Sequence, residues 1–219
     1  GVANKIVLLL FGIAVVLHLA AALFIYYTNF YPFGGGEGDA PRYHNAAAAI
    51  SEDFRSGVFS LERILEHRKQ NAVTQHWYAV VLGGLYALTL PEKLVGIMLG
   101  VWFSSFSALL VFFIARELGS SSSRSFIAGM AAVFYPSLMY FGSLLLREGL
   151  VAFLFLATLL FALRTLKLFD SAQGRHFSWN TFLFFYLALS ALFHFRFYMG
   201  FVALFAFLLS WLFVFGTSW

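Results

Sequence analysis

Long apolar runs recur along almost the whole chain, at residues 6–27, 72–90, 94–115, 126–140, 149–163, 179–193 and 199–215, with mostly short polar breaks between them. A helix rises about 1.5 Å per residue, so about 20 apolar residues cross a bilayer's hydrocarbon core of about 30 Å. The expected fold class is therefore all-α: a polytopic transmembrane helical domain over residues 1–219, with about six spans and juxtamembrane helices in the first outer loop. Composition agrees, because 61% of residues are hydrophobic and only 11% charged, which is not the mixture of a water-soluble domain.

The formal charge is +4, which in a soluble protein would raise the question of nucleic acid. Here the bases stand in short breaks between apolar runs, so they read as topology signals and lipid headgroup contacts, with no nucleic-acid partner. The chain has no cysteine, which excludes disulfides, thiolate catalysis and cysteine metal sites. Neither a P-loop, a dinucleotide fingerprint nor a nucleophile elbow is present. The run at 6–27, with only Lys5 before it, reads as a retained span and not a cleaved signal. An end at Trp219 directly after an apolar run is what truncation at the C-terminus would leave.

Residues 28–71 form the one long polar segment, and function is sought there first. A glycine-rich run leads to Asp39, expected as an N-cap with Pro41 in the first turn of a helix reaching Arg55. A second helix is expected over 61–69, with Leu61, Ile64 and Leu65 on one side, as suits a helix lying on a membrane surface.

Residues 72–90 are ambiguous, because they carry Gln75, His76, Gly83 and Gly84 and stop at Pro91. If this segment is juxtamembrane or re-entrant, the loops holding Arg116 and Arg124, and Arg164, Lys167 and Arg175, fall inside with Lys5, as the positive-inside rule asks. Glu148 then returns to the side of Asp39. The resulting expectation is six spans with both termini inside, in a bacterial plasma membrane, the acidic loop facing outward.

Three places can carry chemistry. Glu37 and Asp39 can supply a general base or hard oxygen ligands for a divalent cation, while Asp39 can equally serve only as a helix cap. Glu148, beside Arg147 between two apolar runs, would cost roughly 2.5 to 3.5 kcal/mol at a span centre and less near the interface. A functional role and a local pair with Arg147 both explain it. Arg196, in a tight turn between apolar runs, can bind a lipid phosphate or snorkel to the headgroups. The histidines lack metal-binding helical spacing, and His18, mid-span, is expected to be buried and hydrogen-bonded.

In this setting, Gly38-Asp39-Ala40-Pro41-Arg42-Tyr43-His44 resembles the first acidic loop of the GT-C glycosyltransferases, the membrane fold of protein mannosyltransferases and aminoarabinose transferases. Trp77 through Leu85-Tyr86-Ala87-Leu88 resembles the family's juxtamembrane stretch, and Ala115-Arg116-Glu117-Leu118-Gly119 the cytoplasmic end of its second span. Leu146-Arg147-Glu148-Gly149-Leu150 resembles the segment bearing a second acidic residue, and the stretch from Leu187 to Arg196 its later hairpin. The likeness follows chain order over most of the sequence, through short motifs. It departs where Gly38 separates Glu37 from Asp39, where Glu148 replaces the commoner aspartate, and where the family continues into a soluble outer domain.

The resemblance implies a transferase that moves a sugar from a polyprenyl-phosphate donor, with Asp39 and Glu148 as catalytic residues. Glu37, Arg42, Tyr43, His44, Arg147 and Arg196 would bind substrate, and a divalent cation would be the one cofactor to consider. Its partners would be membrane lipid and the lipid-linked sugar donor. Two other readings stay open: a non-catalytic membrane subunit of a larger complex that keeps the fold, and a transporter of a lipid-linked substrate.

Overall fold

A computed structural model describes residues 2–32, 38–73, 77–169 and 178–216. Glu37, Gln75, His76 and Arg175 lie outside the described residues. Those described form ten helices and no strand: α1 (Val2–Thr28), α2 (Asp39–Arg55), α3 (Leu61–Gln70), α4 (Tyr78–Leu88), α5 (Lys93–Glu117), α6 (Ser122–Val133), α7 (Pro136–Gly142), α8 (Glu148–Phe169), α9 (Trp179–Phe195) and α10 (Phe197–Gly216).

Three stretches, Asn4–Thr28, Lys93–Glu117 and Glu148–Lys167, are long and apolar enough to cross a membrane, and α6 with α7 makes a fourth if that broken pair is one span. This is the character of an integral membrane protein. The apolar stretches Tyr78–Leu88, Trp179–Phe195 and Phe197–Phe213 are shorter. The eleven residues of α4 extend only about 16 Å.

The run at 126–140, expected as one helix, is broken at Phe134 and Tyr135. Pro136 is the cause: it offers no N–H to the preceding turn and pushes the residue before it out of helical conformation, and Tyr135 duly takes φ −65°, ψ 114°. Proline is at ease where it now stands, at the start of α7.

The chain divides into two compact units, one comprising Gly1–Phe11, Phe106–Ala132 and Val151–Trp219, the other Gly12–Ser105 and Val133–Leu150. In the second, α2 and α4 lie against each other through small residues. A β-carbon on Gly83 would come within 2.7 Å of the Ile50 side chain and 3.2 Å of the Ala47 carbonyl, so glycine is what lets the backbones approach. Tyr43 and Tyr78 meet edge to face at 5.2 Å between centroids, both buried.

Arg55 closes this pair. Its guanidinium donates to the carbonyls of Tyr86 (2.5 Å), Ala87 (3.3 Å) and Thr89 (2.7 Å), satisfying acceptors that the end of α4 leaves without a helical partner. Asp53 joins α2 to α3, accepting from Arg63 through both oxygens (2.8 and 3.2 Å) with His67 at 2.8 Å. The Arg63 bond, then that of His67, holds the Asp53 carboxyl below the ordinary aspartate range. Arg68 of α3 is buried, with its guanidinium 4.4 Å from the centre of the Trp77 ring.

In the same unit α5 presses on the segment around Gly142. A β-carbon on Gly100 would come within 2.6 Å of the Gly142 carbonyl, and one on Gly149 within 3.2 Å of the Ser104 hydroxyl. Small residues in this register let helix backbones pack closely inside a membrane. His18 is fully buried with Nε2 3.3 Å from the Val133 carbonyl, an acceptor left over where α6 breaks. The expectation for His18 therefore holds.

The other unit packs α8, α9 and α10 around Ala162, Phe185 and Leu189, with Phe185 and Phe207 rings 4.5 Å apart. Gly200 lies against the Phe193 ring, where a β-carbon would come within 2.6 Å. Glu117 at the end of α5 accepts from Arg164 (2.7 Å) and Lys167 (3.1 Å), and Lys167 also donates to the Glu117 carbonyl.

Candidate functional site

The second unit contains a cavity of about 330 Å³. Ile25, Tyr26 and Asn29 line it from the end of α1, Ala40 and Pro41 from the first turn of α2, and Lys93 and Ile97 from the first turn of α5. Ser143, Leu144 and Leu145 close it from the stretch between α7 and α8.

Each wall has a local cause. Past Thr28, Asn29 adopts φ 52°, a left-handed conformation that asparagine tolerates, and the chain turns off the helix there. Ser143 donates to the Met139 carbonyl (2.6 Å) and so ends α7. The close approach of α5 to Gly142 then fixes the stretch that leads into Arg147 and Glu148. Lys93 stands at the positive end of the α5 dipole, so this corner of the cavity carries a cation reinforced by the helix dipole.

Asp39 is not the N-cap. That position is Gly38, which has no side chain to offer, and Asp39 lies one residue inside, exposed, with Arg42 3.8 Å away. Its carboxylate is thus left to favour the helix dipole and to face water beside the cavity-lining Ala40 and Pro41. Arg42 is exposed as well.

Tyr43, a sequence candidate for substrate contact, is buried in the α2–α4 contact, with 1% of its surface exposed. His44 is half-buried and its Nδ1 lies 3.0 Å from the Tyr86 hydroxyl. Burial first, and the Lys93 charge second, hold His44 below the ordinary histidine range, against the pull of Glu92. With Nδ1 unprotonated, the neutral ring accepts a hydrogen bond from the Tyr86 hydroxyl. Burial, followed by the charges of Tyr86, Tyr43 and Glu148, pushes the Tyr78 hydroxyl far up, so it stays protonated. Glu148, half-buried in the first turn of α8, is the last and smallest of the charges acting on Tyr78.

Asp39, Arg42, Tyr43, His44, Arg147 and Glu148 all belong to this unit. Arg196 belongs to the other, where it ends α9 in an extended conformation (φ −157°, ψ 81°), with its guanidinium 5.3 Å from the Tyr198 ring centre. Among the described residues no three histidine, aspartate or glutamate side chains gather as a metal-binding group. Sequence reasoning passed over Lys93. Its signal was present, since a lysine directly after Pro91-Glu92 opens a run of some twenty apolar residues.

No protein-family model, curated protein or solved structure matches the chain.

Proposed function

We propose that the chain is the membrane module of a GT-C-like glycosyltransferase that takes a sugar from a polyprenyl-phosphate donor at the outer membrane face. The observation that carries the reading is the cavity itself. One aspartate-bearing helix start, one lysine at a helix N-terminus and the stretch leading to Arg147 and Glu148 border a single space. In this proposal six spans, counting the α6–α7 pair and the two shorter helices α9 and α10, put the cavity outward in a bacterial plasma membrane. The short α4, packed along α2, supports its being juxtamembrane.

The chemistry follows from charge. An acceptor oxygen bonds to the anomeric carbon, the bond from that carbon to the phosphate oxygen breaks, and the electron pair leaves on the lipid phosphate. Lys93 and the α5 N-terminus would meet that growing negative charge, with Arg147 nearby in sequence to the same wall. Asp39, exposed at the start of α2, would take the acceptor proton, and Glu148 would orient the acceptor. Asp39→Asn should lower transfer from polyprenyl-phosphate hexoses about 10² to 10⁴-fold in isolated membranes while leaving the helical fold unchanged. Transfer near the normal rate would end the assignment.

A second reading is a non-catalytic membrane subunit. It rests on the large apolar side chains that α9 and α10 expose, among them Phe184, Leu187, Phe201, Phe205 and Leu212, which suit a partner helix as well as lipid. Co-purification with other membrane subunits in fixed stoichiometry, together with no loss of function in Asp39→Asn, would select it.

A further inference from the structure

The other unit holds a larger cavity, about 490 Å³, that none of the above uses. Its walls are of two kinds. Val7, Leu8, Phe112 and Phe113, from α1 and α5, are apolar, while Arg116, Glu117 and Arg164, with Asn4 and Ser122, make a polar end.

The polar end is unbalanced. Glu117 is shared by Arg164 and Lys167, so one carboxylate faces two cations. Arg116 adds a third positive charge, and its Nη1 donates to the Ser120 carbonyl (2.6 Å), a neutral acceptor. A guanidinium has five N–H donors in a planar fork, so most of Arg116's remain for an oxyanion. Asn4 and Ser122 add neutral donors beside it. The lining itself carries one positive charge in excess, and Lys167, bonded to Glu117 from outside the lining, brings the excess at this end to two.

We propose that this cavity seats the phosphodiester headgroup of an anionic membrane phospholipid, bound by Arg116 and Arg164. The acyl chains would continue along the apolar wall, where Leu8 and Leu9 are 69% and 57% exposed. A soluble anion would use the same guanidinium groups but would have no reason to favour so long an apolar wall. Lipid is thus the occupant that uses both halves of the cavity. The proposal is independent of glycosyl transfer, because it involves neither Asp39 nor Lys93.

The test uses the full chain in mild detergent with phosphatidylglycerol and phosphatidylcholine of matched acyl chains, read by native mass spectrometry. Phosphatidylglycerol should be retained about fivefold over phosphatidylcholine per arginine engaged. Arg116→Gln should lose that arginine's share, and Arg116→Lys should restore part of it, which separates lost charge from lost folding. Glycerol 3-phosphate at millimolar concentration should not displace the lipid. Equal retention of both lipids, a preference that survives Arg116→Gln, or full displacement by glycerol 3-phosphate would each overturn the proposal.

Discussion

Gly142 lies against Ser104 so closely that a β-carbon on it would overlap the serine hydroxyl. This contact sets the position of residues 143–145, and with them one wall of the 330 Å³ cavity. Gly142→Ala must displace either α5 or that wall, and overpacking of this kind costs about 1 to 3 kcal/mol. Ser104 is a suitable second site, because its hydroxyl is buried without a hydrogen-bond partner among the described residues. Thermal unfolding in detergent should show Gly142→Ala destabilised and the pair Gly142→Ala with Ser104→Gly less destabilised than the two single changes added together. Strict additivity would mean that the two sites are not in contact.

Arg55 offers a test of what holds α4. Three carbonyls at the end of that helix share its guanidinium. Arg55→Ala should cost about 1 to 3 kcal/mol, within the range for bonds to a charged group. Amide exchange should quicken at the end of α4 before it does in α5. Unchanged exchange there would show that packing against α2 suffices.

The long elements were legible because apolar length is a strong signal. Residues 6–27 and 94–115 lie within α1 and α5, 61–69 falls within α3, and the hairpin at 179–193 and 199–215 became α9 and α10. What escaped was set by single residues acting against the pattern around them. Apolar continuity concealed the break that Pro136 imposes, and the cap ascribed to Asp39 fell to Gly38. Arg68 is buried under the Trp77 ring, a contact nine residues along the chain that nothing periodic marks. At the candidate site the acidic residues were visible as charges out of place. Lys93 was not, because it stood at the edge of an apolar run and only the fold turns that edge toward the start of α2.

His44 gives the second unit a pH dependence with a definite sign. Burial and Lys93 lower its proton affinity in the folded state, with Glu92 opposing, whereas the unfolded chain titrates near the ordinary value of about 6.5. Below that value the unfolded chain binds more protons, so stability is full above about pH 6.5 and falls as pH drops through the folded-state value. Charging the ring also removes the acceptor for the Tyr86 hydroxyl. His44→Gln keeps a polar partner that does not titrate, and should flatten the loss of thermal stability between pH 6.5 and 5. An unchanged slope in that variant would assign the acid sensitivity to another group.

Sidedness is the prediction on which the transferase proposal depends most, and the lack of cysteine makes it directly measurable. Glu62 in α3 and Ser123 in α6 are both exposed, so Glu62→Cys and Ser123→Cys should leave the fold intact. If α4 lies at the membrane surface without crossing, one span separates the two positions from opposite faces, because α5 alone lies between them. A membrane-impermeant maleimide should then label Glu62→Cys in intact cells and Ser123→Cys only after permeabilisation. Crossing by α4 adds a second passage, and both positions would react from one side. Labelling of Ser123→Cys alone in intact cells would invert the whole arrangement, putting the basic loops outside against the charge bias and removing the donor site from the outer face.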